Sequence, residues 1–195
     1  MKNLYIHHEK HKNKEKFQNI SDNEQSETEA VSTKEIIKYK NLLKEISDIL
    51  DSIILDNKRH KKSKKDNSPF FHEYVSKISI YDYLLRIQKY SGIENSTFII
   101  SLIYIDRICN KKEIILTKYN IHRLLFTAIL ISTKYNEDAI YDNLFFSKIA
   151  GVTVKELALL EKAFLKIIDF DLFVSDEIYQ KYYYYLIYNN SPIEE

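Results

Sequence analysis

SIYDYLLRIQKYSGIENSTFIISLIYIDRICN, residues 79–110, decides the fold. Ile80, Tyr83, Leu84 and Ile87 recur at helical spacing and predict a helix over residues 80–90. Ser91-Gly92 closes it, at the position where a left-handed residue ends a helix. Asn95 or Ser96 then caps a second helix that runs to about Cys109. No alternation of apolar and polar residues persists, which argues against strands.

The pattern continues downstream. Asn120 caps a third helix over residues 121–136, and Asn143 starts a short fourth closed by Gly151. Thr153 with Glu156 forms a capping box that opens a fifth helix, to about Ile168. Ser175 caps a last helix from Asp176 to about Tyr188. Upstream, Pro69 after Ser68 reads as an N1 and N-cap pair opening a short helix over residues 70–78. Ser32 with Glu35 opens a longer one, with Ile36, Tyr39, Leu43, Ile46, Leu50 and Ile53 on one face. That stripe docks on the main domain or meets a partner. The chain has only two glycines and two prolines, and their placement at helix ends predicts an all-α protein with short connections.

The expected organisation follows. Residues 1–31 are polar and aperiodic and read as disordered, 32–56 form the amphipathic helix, and 57–68 form a basic linker. Residues 69–195 form the helical domain, with a core over about residues 79–174.

Composition narrows the function. A net charge of +1 provides no global field for nucleic acid or anionic lipid. Lys58, Arg59, Lys61, Lys62, Lys64 and Lys65 are a local run, either a nuclear-localisation or phosphate-contacting patch or a solvated loop. A single cysteine, Cys109, excludes an internal disulfide framework and suits a reducing compartment. The polar start lacks a signal peptide, and the apolar run at 98–105 contains Ser101 and is far shorter than a bilayer span. A soluble protein of the cytoplasm or nucleus, without membrane association, is expected. The sequon at residues 95–97 reads as a helix start. No Gly-rich phosphate loop, nucleophile elbow or Cys/His metal spacing is present, so neither catalysis nor a cofactor is expected. His7, His8 and His11 lie in the polar start.

Three charges sit where the pattern is apolar. Asp106 follows Ile99, Leu102 and Ile103 at i, i+3, i+4, i+7 and calls for a cation, with Arg86 and Lys77 as candidates. Lys134 lies in the last turn of its helix, where the macrodipole favours a cation, flanked by Ile131 and Tyr135. Glu161 lies among Leu157, Leu160, Phe164 and Leu165. On spacing alone, Lys134 and Glu161 form an internal salt bridge, are separately solvated, or share one surface.

The segments IYDYLLRIQKY (80–90), YIDR (104–107), NIHRLL (120–125), TKY (133–135), AGV (150–152) and LE (160–161) resemble a cyclin box. The resemblance is strongest to the P-type, or U-type, cyclins and runs unbroken over about residues 79–174. It implies a single five-helix cyclin box with N-terminal and C-terminal flanking helices, since the chain ends before a second box could fit. It also implies a non-catalytic regulatory subunit that binds and activates a cyclin-dependent protein kinase, in the cell cycle or in phosphate or nutrient signalling. The third and fifth box helices would pack on the kinase's PSTAIRE-like C-helix. Lys134 and Glu161 would hydrogen-bond to it there, and Ile131, Tyr135, Leu165 and Phe170 would form a pocket for one of its apolar residues. Many cyclins pair the aspartate matching Asp106 with an arginine where this chain has Lys77, which leaves Arg86 as the alternative. Two other readings are a cyclin-fold transcription or nucleic-acid-binding module using the basic run, and a helical scaffold that activates no kinase. The near-neutral charge and single box argue against the former.

Overall fold

A computed structural model of the chain describes residues 28–59, 68–111, 114–138 and 141–188. Among them are seven helices: α1 (Thr28–Arg59), α2 (Ile80–Ser91), α3 (Asn95–Asn110), α4 (Ile121–Asn136), α5 (Asn143–Ala150), α6 (Val154–Ile168) and α7 (Asp176–Tyr188). No strand occurs among the described residues. The arrangement is all-α: α2 to α6 form a five-helix box, with α1 and α7 as flanks.

α4 is the centre and packs against α3, α5 and α6. It is buried nearly all round from Leu124 to Thr133, the pattern of a core helix rather than a surface one. Its hydroxyls are satisfied without water. Thr127 and Thr133 donate back to the carbonyls of Arg123 and Ile129, and Ser132 donates across to Thr97 of α3. α1 lies over α2, α3 and α7 and buries Leu42, Leu43, Ile46, Leu50 and Ile54. Its apolar stripe therefore docks on the box. The side chains of Ile36 and Tyr39 lie outside the described set.

Several ends follow the sequence closely. Ser79 and Thr153 accept from the backbone N–H groups of Asp82 and Glu156. Gly92 and Gly151 end α2 and α5 at φ 66° and 74°, where a side chain would be strained.

Other expectations give way. The first helix begins at Thr28 rather than near Ser32 and continues through Arg59, into the segment read as linker. The start read as disordered, up to residue 27 and with His7, His8 and His11, lies outside the described residues, as do residues 60–67 and Pro192. No helix forms over residues 70–78; a strap runs there instead. Ser68 and Pro69 make a single turn closed by the N–H of Phe71, and the N–H of His72 then donates to the carbonyl of Tyr119 at 2.9 Å. The N–H groups of Tyr74 and Ile78 bond to the side chains of His72 and Ser76. These partners compete with a helical ladder. Phe70, fully buried and edge-on to Phe164 at 6.2 Å, anchors the strap.

Capping differs as well. α3 starts after Glu94, not Asn95 or Ser96, and it is the carboxylate of Glu137 that reaches its first turn. That carboxylate accepts from the Thr97 hydroxyl at 2.5 Å and from the N–H of Glu94 at 3.3 Å. Asn143 starts α5 as expected, and Asp142 caps it. Buried Asn120 stands at the N-cap of α4 as expected, but its side chain turns back to the preceding loop, to the N–H of Thr117 and the carbonyl of Ile115. Glu156 turns outward to Arg123 instead of completing the capping box.

Candidate functional site

Where α4 ends beside α6, Lys134 Nζ stands 2.7 Å from Glu161 Oε1. The two side chains are 29% and 19% exposed, so the pair lies at the rim of the core. The C-terminal dipole of α4 favours the lysine, and Asn143 at the start of α5 holds the other carboxylate oxygen at 3.4 Å. The sequence left this pair open among three arrangements; the structure joins the two charges across two helices.

The neighbours are apolar and graded in exposure. Ile131, one turn before Lys134, is buried in the core, and Leu165, one turn after Glu161, is partly buried. Tyr135 is 52% exposed and Phe170 67%. Phe170 follows α6 in a turn where both Asp169 (φ 63°) and Phe170 (φ 55°) adopt the left-handed conformation. Neither is a glycine, and a phenylalanine there is strained.

Sequence reasoning missed what holds this turn. Tyr104, Arg107 and Lys111 share one face of the C-terminal half of α3 and donate to its carbonyls. The Tyr104 hydroxyl reaches Leu172 at 2.7 Å; Arg107 Nη1 and Nη2 reach Asp171 and Phe173, both at 2.7 Å; Lys111 reaches Ile168 at 3.0 Å. Burial pushes the Tyr104 phenol up to about 12, so it stays a donor throughout the neutral range. The available signal was the spacing of three donors at i, i+3 and i+7 near the end of an apolar helix.

Asp106 lies elsewhere, 6% exposed inside the box. It accepts from the Tyr182 hydroxyl of α7 at 2.6 Å. The Arg86 guanidinium donates to the Lys148 carbonyl of α5 at 3.4 Å, and Lys77 is exposed on the strap. One contact of Asp106 thus comes from the last helix, and Arg86 bonds to α5. Desolvation, reinforced by the Asp106 charge, pushes the Cys109 thiol up to about 12, which leaves no thiolate at neutral pH.

A groove between the strap, α2 and α4 carries Arg86, His122 and Arg123. Arg123 is engaged with Glu156 and the carbonyls of Pro69 and Phe71, and the His122 ring lies 3.0 Å from the Ile78 carbonyl. No group of three or more His, Cys, Asp or Glu among the described residues could hold a metal. No helix among them is long and apolar enough to cross a membrane.

An α-helical box that presents a paired lysine and glutamate among exposed aromatics has the make-up of a protein-recognition surface. A family model for cyclins matches residues 6–172. The chain is 35% identical over 150 residues to Cyclin-U4-2 of Arabidopsis thaliana, covering 75% of this chain and 67% of that protein. It is 32% identical over 158 residues to Cyclin-P3-1 of Oryza sativa subsp. japonica, with 80% and 67% covered. To PHO85 cyclin-7 of Saccharomyces cerevisiae it is 39% identical over 125 residues, 58% of this chain and 44% of that one. It therefore spans about two thirds of the plant relatives and less than half of the yeast protein. The chain belongs to the cyclin family. Its architecture is that of a cyclin box with flanking helices.

Proposed function

We propose that this chain is a regulatory subunit of a cyclin-dependent protein kinase, packing α4 and α6 on the kinase's PSTAIRE-like C-helix. The observation that carries the reading is the Lys134–Glu161 pair, assembled at 2.7 Å and flanked by exposed Tyr135 and Phe170. Each charge orients the other. Lys134 keeps donor capacity beyond its one carboxylate bond, and Glu161 keeps acceptor lone pairs, so the pair can bond to a partner's backbone without dissolving. Ile131 and Leu165 would floor a pocket, with Tyr135 and Phe170 as its walls. Burying an aromatic of this kind contributes about 1.5–3 kcal/mol, enough for two such anchors to dominate an interface.

The mechanism is a population shift. Kinase activity needs a Lys–Glu ion pair between a strand and the C-helix, together with aligned magnesium ligands. A protein that binds only the inward position of that helix moves the equilibrium by its differential affinity. This chain would contribute no catalytic group. The U-type, P-type and PHO85 cyclin names of its relatives support a kinase partner of this class. Residues 69–195 would form the binding domain, and α1 would brace it from behind.

The test is a panel of PSTAIRE-containing kinases from the same cell, assayed for capture by the full chain and for gain of phosphotransfer. Binding and activation that are lost on combined Lys134→Ala and Glu161→Ala support the reading. A panel that neither binds nor gains activity contradicts it.

A further inference from the structure

The turn after α6 displays two aromatics, not one. Phe170 is 67% exposed and Phe173 69%. Between them Leu172 packs against the core. Successive carbonyls at 171, 172 and 173 all accept side-chain donors from α3. Arg107 supplies the outer two, bracketing the Tyr104 bond, and its Nη1 also lies 3.3 Å from Asp171 Oδ1. Its side chain is only 19% exposed.

Such a fork fixes a plane. Two N–H groups on one rigid guanidinium set the spacing and orientation of the Asp171 and Phe173 carbonyls, on either side of Leu172. The residues just before them, Asp169 and Phe170, are in the left-handed region, which persists only when the surroundings over-determine it. The N–H groups of Asp169, Phe170 and Asp171 close α6 on the carbonyls of Lys166, Leu165 and Ile168, and the bonds from α3 add the constraint from outside the turn. We infer that Arg107 is a positioning residue for partner binding: it presets the turn that presents Phe170 and Phe173 as a rigid two-aromatic anchor. The inference rests on the kinase-binding reading and adds Phe173 and Arg107 to it. Pre-organisation of this kind lowers the cost of ordering an interface loop, so its loss shows as weaker binding.

The experiment is a double-mutant cycle on the full chain with a PSTAIRE-containing kinase of its own cell, measuring affinity, thermal stability and amide exchange over residues 168–173. Arg107→Ala is expected to weaken binding about tenfold, with faster exchange confined to the turn. In a Phe170→Ala background the same change should cost less, because one of the two aromatics it positions is gone. Phe173→Ala should weaken binding on its own. Tyr104→Phe removes the Leu172 bond, together with the hydroxyl's interaction with Asn136, and serves as the second variant if Arg107→Ala does not fold. It should loosen the turn and weaken binding in the same coupled way. If Lys134→Ala and Phe170→Ala weaken binding and neither Arg107→Ala nor Tyr104→Phe does so in a coupled way, this inference alone is overturned. If all of them bind like the unaltered chain, the kinase-binding reading falls with it.

Discussion

Lys134 and Glu161 meet at 2.7 Å across the junction of α4 and α6, each only partly exposed, on the rim where the apolar core reaches the surface. A pair at this depth is neither a solvated surface bridge nor a sealed interior one. Exposed pairs contribute about 0.2–1 kcal/mol, and sealed ones become costly to break because one charge is stranded. A rim pair leaves the two side chains oriented and still accessible, which is the state a binding surface needs.

Phe170 separates stability from binding. At φ 55° the side chain is strained and mostly solvated, so Phe170→Gly should stabilise the free protein by about 0.5–1 kcal/mol, the left-handed strain outweighing the flexibility that glycine adds to the unfolded chain. The same change removes an aromatic anchor and should weaken kinase binding. Urea denaturation set beside an affinity measurement shows whether the two move in opposite directions.

Tyr182 and Asp106 should behave in the reverse manner. Tyr182→Phe deletes the bond of 2.6 Å to a buried carboxylate and is expected to cost about 1.5–3 kcal/mol of folding stability. Kinase affinity of the folded variant should stay within a factor of two or so, since α7 is not part of the proposed face. Chemical denaturation checks the first statement and a binding titration the second.

His122 makes the fold sensitive to acid. Desolvation lowers its pKa, with the bond to the Ile78 carbonyl and the Asp51 charge opposing. A histidine whose folded pKa lies below its unfolded value takes up more protons when unfolded, so its contribution to stability is complete above the unfolded pKa, near 6.5. It is lost as pH falls from there through the folded pKa. His122→Gln keeps a donor for Ile78 and cannot titrate, so its melting temperature should fall less than that of the unaltered chain between pH 7.5 and 5.5.

Much of the box was legible in the sequence because helix ends and helix faces are local signals. Gly92, Gly151 and Thr153 stand where they were expected, and the family resemblance in YIDR, TKY and LE agrees with the matched cyclin model. What could not be read depends on distant partners. The strap at 70–78 has helix-like apolar spacing, but its backbone bonds to Tyr119 and to its own side chains. The Tyr182 hydroxyl that bonds to Asp106 comes from 76 residues on, beyond the reach of helical spacing. The left-handed turn at Asp169 and Phe170 carries no glycine to announce it, and the donors that hold it sit on α3.

The central claim is that Lys134 and Glu161 serve a partner more than the fold. The most direct measurement is the affinity of the full chain for a PSTAIRE-containing kinase, beside its unfolding free energy, before and after Lys134→Ala with Glu161→Ala. The account predicts at least a tenfold loss of affinity, about 1.4 kcal/mol of binding, with no more than about 1 kcal/mol lost from folding. Unchanged affinity, or a loss of stability large enough to explain the loss of binding, would contradict it.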